Sequence, residues 1–266
     1  MMKTDFQISE IHHEYGPNVH ILNDPFLTTQ LARLCSPEVT QPLFNQLIGV
    51  LYTSLIRTVI NTRYPCREVS IDTRMKAYTE HGVYKGPMVD RSTDSVVVDI
   101  ARAGILPSQI CFDTLNGILD PQVVRQDHLI MARTVDTEQR VTGAAITGQK
   151  IGGPVDGRFV LFPDPMGATG NSLATAMASY AGGSLGTPKA MITLNLIVTP
   201  EFVRCLTDAF PGVHIFAIRL DRGMSPADVL ADVPGRQWDR ESGLDERQYI
   251  VPGGGGFGEL MNNSWI

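Results

Sequence analysis

The order of hydrophobic and polar positions predicts alternating strands and helices over most of the chain. The apolar runs typical of buried strands cover residues 95–100, 128–132, 158–162, 189–198 and 213–220. The segments with helical spacing between them cover residues 105–116, 172–181 and 201–209. Strands that alternate with helices favour a parallel β-sheet flanked by helices on both faces. The sequence therefore predicts an α/β fold, with any ligand at the carboxyl ends of the strands.

Two helices are predicted before this region. Asp24 is an N-cap residue followed by Pro25, which predicts a short helix to about residue 35. Leucines at 43, 47, 51 and 55 lie at four-residue steps and predict a longer core helix that ends before Pro65. Residues 68–74 alternate like a half-exposed strand, and residues 78–92 contain glycines and a proline typical of turns.

Three segments lack a clear period. Residues 1–22 are expected to form an amino-terminal arm, solvated or covering a partner, and the polar, glycine-punctuated residues 137–157 a mobile loop. Residues 260–265 are expected to form a structured C-terminal end. Nothing resembles an interdomain linker, so one domain over residues 1–266 is predicted.

Composition and charge exclude several classes of protein. The 266 residues are 43% hydrophobic and carry a net charge of −6, which disfavours both disorder and a nucleic-acid binder. No apolar run reaches the ~18 residues of a membrane span, and the first ten residues lack the apolar core of a secretory signal. Four scattered cysteines suit reduced thiols. We therefore expect a cytoplasmic protein that binds neither membrane nor nucleic acid.

The strongest candidate motif follows the apolar run 159–162. Asp164 lies at the end of this predicted strand, and the small residues 167–172 form a turn that opens a helix. Backbone N–H groups at such a turn bind phosphate, and Thr169 and Ser172 add hydroxyl donors. One carboxylate can accept hydrogen bonds from two ribose hydroxyls. An ordinary turn capped by Asp164 is the alternative.

Two arginines follow neighbouring strands. Arg102 lies between small residues after the run 95–100, and Arg133 follows the run 128–132. A guanidinium binds phosphate oxygens in a bidentate manner, so both arginines are candidates to bind pyrophosphate. A surface ion pair is the alternative for Arg102.

A glycine-rich strip lies near the C-terminus. Five of the 25 glycines lie within residues 253–258, after Tyr249 and Ile250. Glycines let main-chain groups approach a planar ligand closely, and Tyr249 and Phe257 are candidates to bracket an aromatic ring. A flexible linker is the alternative.

In this order the three motifs resemble those of the uracil phosphoribosyltransferases, which belong to the type I phosphoribosyltransferase group. Asp164 to Gly170 is similar to the family's phosphoribosyl pyrophosphate loop, and Arg102-Ala103-Gly104 to its pyrophosphate turn. Tyr249 to Gly253 is similar to its uracil-binding segment. The resemblance implies transfer of ribose 5-phosphate from phosphoribosyl pyrophosphate to N1 of uracil, giving UMP and pyrophosphate in pyrimidine salvage. It further implies Mg²⁺ with the donor, a small hood formed partly by residues 244–266, and a homodimer or higher homo-oligomer; GTP control occurs in some relatives.

The resemblance also implies roles for single residues. Asp164 and Arg102 are the expected catalytic residues, and no residue is expected to bind a metal by itself. The expected substrate-binding residues are Arg102, Arg133, Asp164, Ala168, Thr169, Gly170, Asn171, Ser172, Tyr249, Ile250, Gly255, Gly256 and Phe257.

Four positions depart from the family pattern. Gly254 and Gly256 replace an apolar residue and an aspartate, and Gly167 and Asn171 replace a leucine and a glycine. Asn171 is expected to tolerate the left-handed backbone that a glycine adopts. A transferase for another base and a non-catalytic protein that binds the donor or a nucleotide remain as alternatives. An NAD-binding enzyme is disfavoured because the Gly-x-Gly-x-x-Gly fingerprint is missing.

Overall fold

A computed structural model describes residues 6–135 and 141–265, with the backbone alone for residues 133–135 and 141–144. The strands of the described chain are β1 (Val19–Ile21), β2 (Cys66–Asp72), β3 (Val83–Val89), β4 (Ser95–Ala101), β5 (Val124–Val135), β6 (Val141–Lys150), β7 (Phe159–Pro163), β8 (Met166–Gly167), β9 (Ala190–Val198) and β10 (His214–Leu220). The helices are α1 (Pro25–Leu34), α2 (Leu43–Arg63), α3 (Ile105–Asn116), α4 (Asn171–Ala178), α5 (Pro200–Ala209), α6 (Ala227–Leu230) and α7 (Phe257–Asn262).

One mixed sheet forms the centre of the molecule. Its strand order is β1-β10-β9-β7-β4-β5-β6, with β8 paired to β9. All pairs are parallel except β5 with β6. The parallel strands place their carboxyl ends at one edge, as expected for an α/β fold.

Helices cover both faces of the sheet. Alternate residues of a strand point to opposite faces, so Val97 of β4 packs with α2 and α3, whereas Val96 and Val98 pack with α4 and α5. Helix α2 has the length and apolar composition of a membrane span, but its apolar side chains lie in this core. The predicted fold class, a parallel sheet flanked by helices, is confirmed.

Most predicted elements appear within a few residues of their expected bounds. Asp24 caps α1 by accepting a hydrogen bond from the Leu27 N–H at 3.1 Å, and α3 has the predicted bounds. Four strands are absent from the sequence prediction, and one of them, the two-residue β8, directly precedes the turn after Asp164. Residues 19–21 of the expected arm form β1, and residues 141–150 of the expected mobile loop form β6; residues 137–140 lie outside the described part. Residues 83–89, expected as turns, form β3 and pair with β2 in a two-stranded ribbon.

The residues between β10 and the C-terminal segment are folded onto the amino-terminal residues. Glu241 is buried and accepts hydrogen bonds from Arg222 Nη1 at 2.7 Å, from the Gly235 N–H at 2.8 Å and from the Tyr15 hydroxyl. Residues 6–22 therefore pack against the body of the molecule instead of forming a solvated arm.

Candidate functional site

Two of the sequence motifs meet at the carboxyl edge of the sheet. Residues 102–104 follow β4, and Asp164 follows β7, the adjacent strand. A Cβ at Gly104 would lie 2.7 Å from the Ile100 carbonyl oxygen and 3.2 Å from that of Pro163. Glycine at 104 therefore allows the two turns to lie in contact.

Asp164 is half-buried at this edge. Its carboxylate accepts a hydrogen bond from the Met166 N–H at 3.2 Å, and Asn195 Nδ2 donates to its carbonyl oxygen at 2.7 Å. Burial raises the pKa of the Asp164 carboxyl to about 6, although the Met166 N–H favours the ionised form. The carboxylate is thus ionised at neutral pH and has few protein partners, as a group that binds hydroxyls needs.

The turn from Asp164 to α4 has the shape of a phosphate cradle. Gly170 has φ +83°, and a Cβ there would lie 2.9 Å from the Cys205 Cβ. Asn171 is the first residue of α4 and does not need the left-handed backbone, which Gly170 takes one residue earlier. Asn171 and Ser172 are exposed and Ala168 and Thr169 half-buried, which leaves the N-terminus of α4 open to a ligand.

The structure also explains the glycine at 167. A Cβ at this position would lie 2.9 Å from the Phe202 ring. A leucine has no room there, because Phe202 on α5 is buried against the turn.

Arg102 is bound by the C-terminal segment. Its Nη2 donates to Glu259 Oε1 at 3.0 Å, and its Nη1 donates to Ser264 Oγ at 3.0 Å. The ion pair that the sequence left as an alternative is therefore present. About a third of each charged side chain is exposed, so the pair contributes only ~0–1 kcal/mol, and a polyanion can compete for the guanidinium.

Arg133 lies in β5, the strand next to β4, in the register opposite Ala144 of β6. Its side chain lies outside the described part of the chain, so its predicted contact with pyrophosphate stays a prediction.

The glycine strip, residues 253–258, lies against the Arg102 turn. A Cβ at Gly258 would lie 3.7 Å from that of Ala103, which brings the third motif to the same edge. Tyr249 is 58% exposed, and Ile250 pairs with Leu244 in an isolated bridge. Phe257 is buried and packs edge-to-face on Phe44 at 5.2 Å, so its ring is not free to bracket a ligand as expected.

Neighbouring side chains occupy the space that a side chain at Gly254 or Gly256, the two departures from the family pattern in the strip, would need. A Cβ at Gly254 would lie 2.6 Å from the Phe257 ring and 2.7 Å from Cys35 Sγ. A Cβ at Gly256 would collide with the Glu259 carboxylate. A negative charge is thus present next to position 256, although residue 256 itself has no side chain.

The sequence prediction missed four residues that shape this edge. Glu259 and Ser264 bind Arg102, and the pair Arg219–Asp221 binds Gly253. Asp221 follows β10 directly, so the strand-end rule that selected Asp164 also applies to it. For Glu259 and Ser264 the sequence contains no comparable signal.

Comparisons with known proteins agree with this arrangement. Residues 21–235 match the family model described as uracil phosphoribosyltransferase. The chain is 27% identical over 228 residues to a uracil phosphoribosyltransferase of Acidovorax ebreus, covering 84% of this chain and 97% of the relative. One of Delftia acidovorans is 27% identical over 248 residues, covering 91% and 97%.

A solved structure has a similar fold. The AQ2163 protein from Aquifex aeolicus superposes with a TM-score of 0.68 at 18% identity, covering 91% of this chain and 97% of that one. The family model spans most of the chain, including the Arg102 turn and the Asp164 loop. The protein therefore belongs to the uracil phosphoribosyltransferase family and is a phosphoribosyltransferase, an enzyme of the glycosyltransferase class.

Proposed function

We propose that the protein transfers ribose 5-phosphate from phosphoribosyl pyrophosphate to N1 of uracil, giving UMP and pyrophosphate. The observation that carries this proposal is the meeting of three motifs at one edge of the sheet. A Cβ at Gly104 would lie 3.2 Å from the carbonyl oxygen of Pro163, the residue before Asp164, and one at Gly258 of the glycine strip would lie 3.7 Å from the Ala103 Cβ. The motifs proposed to bind a sugar phosphate, a diphosphate and a planar base are therefore adjacent.

The ribose 5-phosphate is bound by the turn from Asp164 to Ser172. The main-chain N–H groups of residues 169–172 and the hydroxyls of Thr169 and Ser172 take the 5′-phosphate at the N-terminus of α4. The expected Ala168 N–H is not among these donors, because it donates to the Met166 carbonyl oxygen at 3.0 Å. The ionised Asp164 carboxylate accepts hydrogen bonds from the ribose hydroxyls. These contacts fix C1 of the ribose between the diphosphate and the base.

Arg102 and Arg133 bind the diphosphate. As the bond from C1 to the diphosphate lengthens, positive charge develops on the ribose and negative charge on the leaving group. Guanidinium groups stabilise that negative charge. Arg102 first exchanges Glu259 and Ser264 for diphosphate oxygens, which its exposure allows.

The glycine strip takes the base. The main-chain groups of Ile250, Gly255, Gly256 and Phe257 form hydrogen bonds with the uracil edge. Apart from residues 254–256 themselves, no described atom lies within 4 Å of the position that a Gly255 Cβ would take, so this part of the strip is open to a ring. Tyr249 is exposed and available to stack on the base.

Mg²⁺ bound with the donor fits the residues at this edge. The described residues contain no group of three or more His, Cys, Asp or Glu side chains that could hold a metal. Mg²⁺ is commonly held by one or two carboxylates together with substrate phosphates, and Asp164 is a carboxylate suited to that use. When bound, the ion neutralises charge on the diphosphate.

The test is incubation of the protein with phosphoribosyl pyrophosphate, Mg²⁺ and each nucleobase in turn, with nucleotide and pyrophosphate measured as products. We expect UMP with uracil only. Turnover with a different base contradicts the uracil assignment, and donor binding without turnover favours a non-catalytic binding protein. The homo-oligomer, the cytoplasmic location and GTP control stay predictions; light scattering measures the first.

A further inference from the structure

Gly253, the first residue of the glycine strip, is held at both of its backbone polar atoms by two side chains. Its N–H donates to Asp221 Oδ2 at 2.8 Å, and its carbonyl oxygen accepts from Arg219 Nη2 at 2.8 Å. Arg219 lies at the carboxyl end of β10, and Asp221 follows that strand directly. The strip is therefore attached to the sheet through two side chains of one strand end.

The two side chains also bind each other. Arg219 Nε donates to Asp221 Oδ1 at 2.6 Å, and Nη2 donates to Oδ2 at 2.8 Å. The Asp221 side chain is 1% exposed and that of Arg219 23%. A bidentate guanidinium–carboxylate pair has a fixed geometry. Removal of the guanidinium would leave a buried carboxylate without its counter-charge, which strongly destabilises the folded protein. The pair thus holds Gly253 in one place.

The backbone around Gly253 has little freedom to compensate for a loss of this attachment. Gly253 has φ +63°, and a Cβ there would collide with the Ile250 carbonyl oxygen. The next residue, Gly254, is confined between Cys35 Sγ and the Phe257 ring. The position of Gly253 therefore sets where the open part of the strip, Gly255 and Gly256, lies relative to the edge of the sheet.

We propose that Arg219 and Asp221 are positioning residues for the base, acting through the main chain of the glycine strip. The proposal rests on the proposed function, in which that strip binds uracil. Neither side chain needs to contact the base. They fix the distance between the main-chain groups that bind the base and the turns that hold the donor, and misplacement by about 1 Å costs on the order of 100-fold in rate.

The chain contains a matched pair far from this site. Arg125 and Asp127 lie near the amino end of β5 with the same two-residue spacing, and Arg125 Nε donates to Asp127 Oδ1 at 2.9 Å. Asp127 accepts from the Gly152 N–H at 2.9 Å, and Arg125 Nη2 donates to the Gly153 carbonyl at 2.8 Å. This pair ties a glycine segment to a strand in the same way, at the opposite edge of the sheet.

The experiment compares Arg219→Met and Arg219→Lys with Arg125→Met. The quantities measured are kcat, KM for uracil, KM for phosphoribosyl pyrophosphate, and hydrogen exchange of peptides that cover residues 250–257. For Arg219→Met we expect KM for uracil to rise about 10-fold or more, KM for the donor to change less than about threefold, and the strip amides to exchange faster. Lysine keeps the positive charge but cannot form the bidentate pair with Asp221. The rise in KM for uracil is therefore smaller in Arg219→Lys than in Arg219→Met. Arg125→Met leaves both KM values unchanged.

The proposal is overturned if Arg219→Met raises KM for uracil no more than Arg125→Met does, or if exchange of residues 250–257 is unchanged. Asp221→Asn removes the other member of the pair, and we expect the same rise in KM for uracil and the same faster exchange of residues 250–257. If that variant does not fold, the arginine variants decide. If the wild-type protein makes no UMP, the proposed function fails, and hydrogen exchange alone still decides whether this pair fixes the strip.

Discussion

Asp164 has a carboxylate that opposes folding at neutral pH. Its pKa is raised by burial from 3.8 to about 6, so between these values the folded protein binds a proton that the unfolded chain has released. The contribution of this group to stability is therefore greatest at low pH and decreases as the pH rises toward 6. A carboxylate kept in such a place is typical of a functional site.

We predict that Asp164→Asn stabilises the fold while it removes activity. The quantity compared is the free energy of unfolding of the variant minus that of the wild type. Because Asn does not ionise, this difference is about 1–3 kcal/mol larger at pH 7.5 than at pH 3.5. Denaturant unfolding at both pH values measures this. An unchanged difference between the two pH values, or retained turnover, contradicts the assignment of Asp164.

Gly254 is required by packing as well as by its place in the strip. A methyl group there would press on Cys35 and on the Phe257 ring. We predict that Gly254→Ala destabilises the protein by about 1–3 kcal/mol, the usual effect of overpacking. The control is Gly212→Ala, since in the described part of the chain no atom beyond its sequence neighbours lies within 4 Å of a Cβ at Gly212. Equal thermal unfolding temperatures for the two variants would contradict the packing account.

At the scale of elements, α7 is held in place by the rest of the protein. A helix of six residues is not stable alone. Phe257 anchors its start in the core, and Gln41 Nε2 and Asn45 Nδ2 donate to the Met261 carbonyl oxygen at 3.2 Å. This docking places Glu259 on Arg102, so the glycine strip and the pyrophosphate turn are coupled through one ion pair.

We predict that Glu259→Gln strengthens pyrophosphate binding. The Glu259 carboxylate competes with pyrophosphate for the Arg102 guanidinium. Its half-exposed ion pair with Arg102 contributes up to ~1 kcal/mol, so loss of the pair raises the affinity for pyrophosphate by up to about fivefold at low salt. Titration calorimetry measures the change. Glu80→Gln on the exposed β2–β3 turn removes the same charge and serves as the control. Weaker binding in Glu259→Gln alone would mean that the carboxylate supports the anion site.

The elements that the sequence predicts well are those that bury their own side chains. Strands β4, β7 and β9 are mostly apolar, and glycine or proline lies close to the limits of β7 and β9. Strands β1, β3 and β6 were missed because they are stabilised by pairing with a neighbour at a sheet edge or in the ribbon. Backbone pairing of this kind leaves a weak pattern in the chain.

The candidate site shows the same division between local patterns, which the sequence displays, and long-range contacts, which it does not. The Asp164 turn and the Arg102 turn were identified because each follows an apolar strand. The contact between Arg102 and Glu259 joins residues 157 positions apart, and that of Gly253 with Asp221 spans 32. No local spacing encodes such pairs, since the fold alone brings them together.

At the scale of the whole molecule, an acidic protein handles an anionic donor through local arrangement. The net charge is −6, yet Arg102, the N-terminus of α4 and a glycine turn lie at one edge of the sheet. Backbone N–H groups and a few guanidinium groups bind phosphate without a basic surface.

The most direct test of this account is a crystal structure of the protein with UMP bound. We predict that the 5′-phosphate lies about 3 Å from main-chain nitrogens of residues 169–172 and that the ribose hydroxyls contact Asp164. The uracil edge then meets the main chain of residues 253–257. A nucleotide bound with its phosphate away from the start of α4, or with its base away from the glycine strip, would contradict the account.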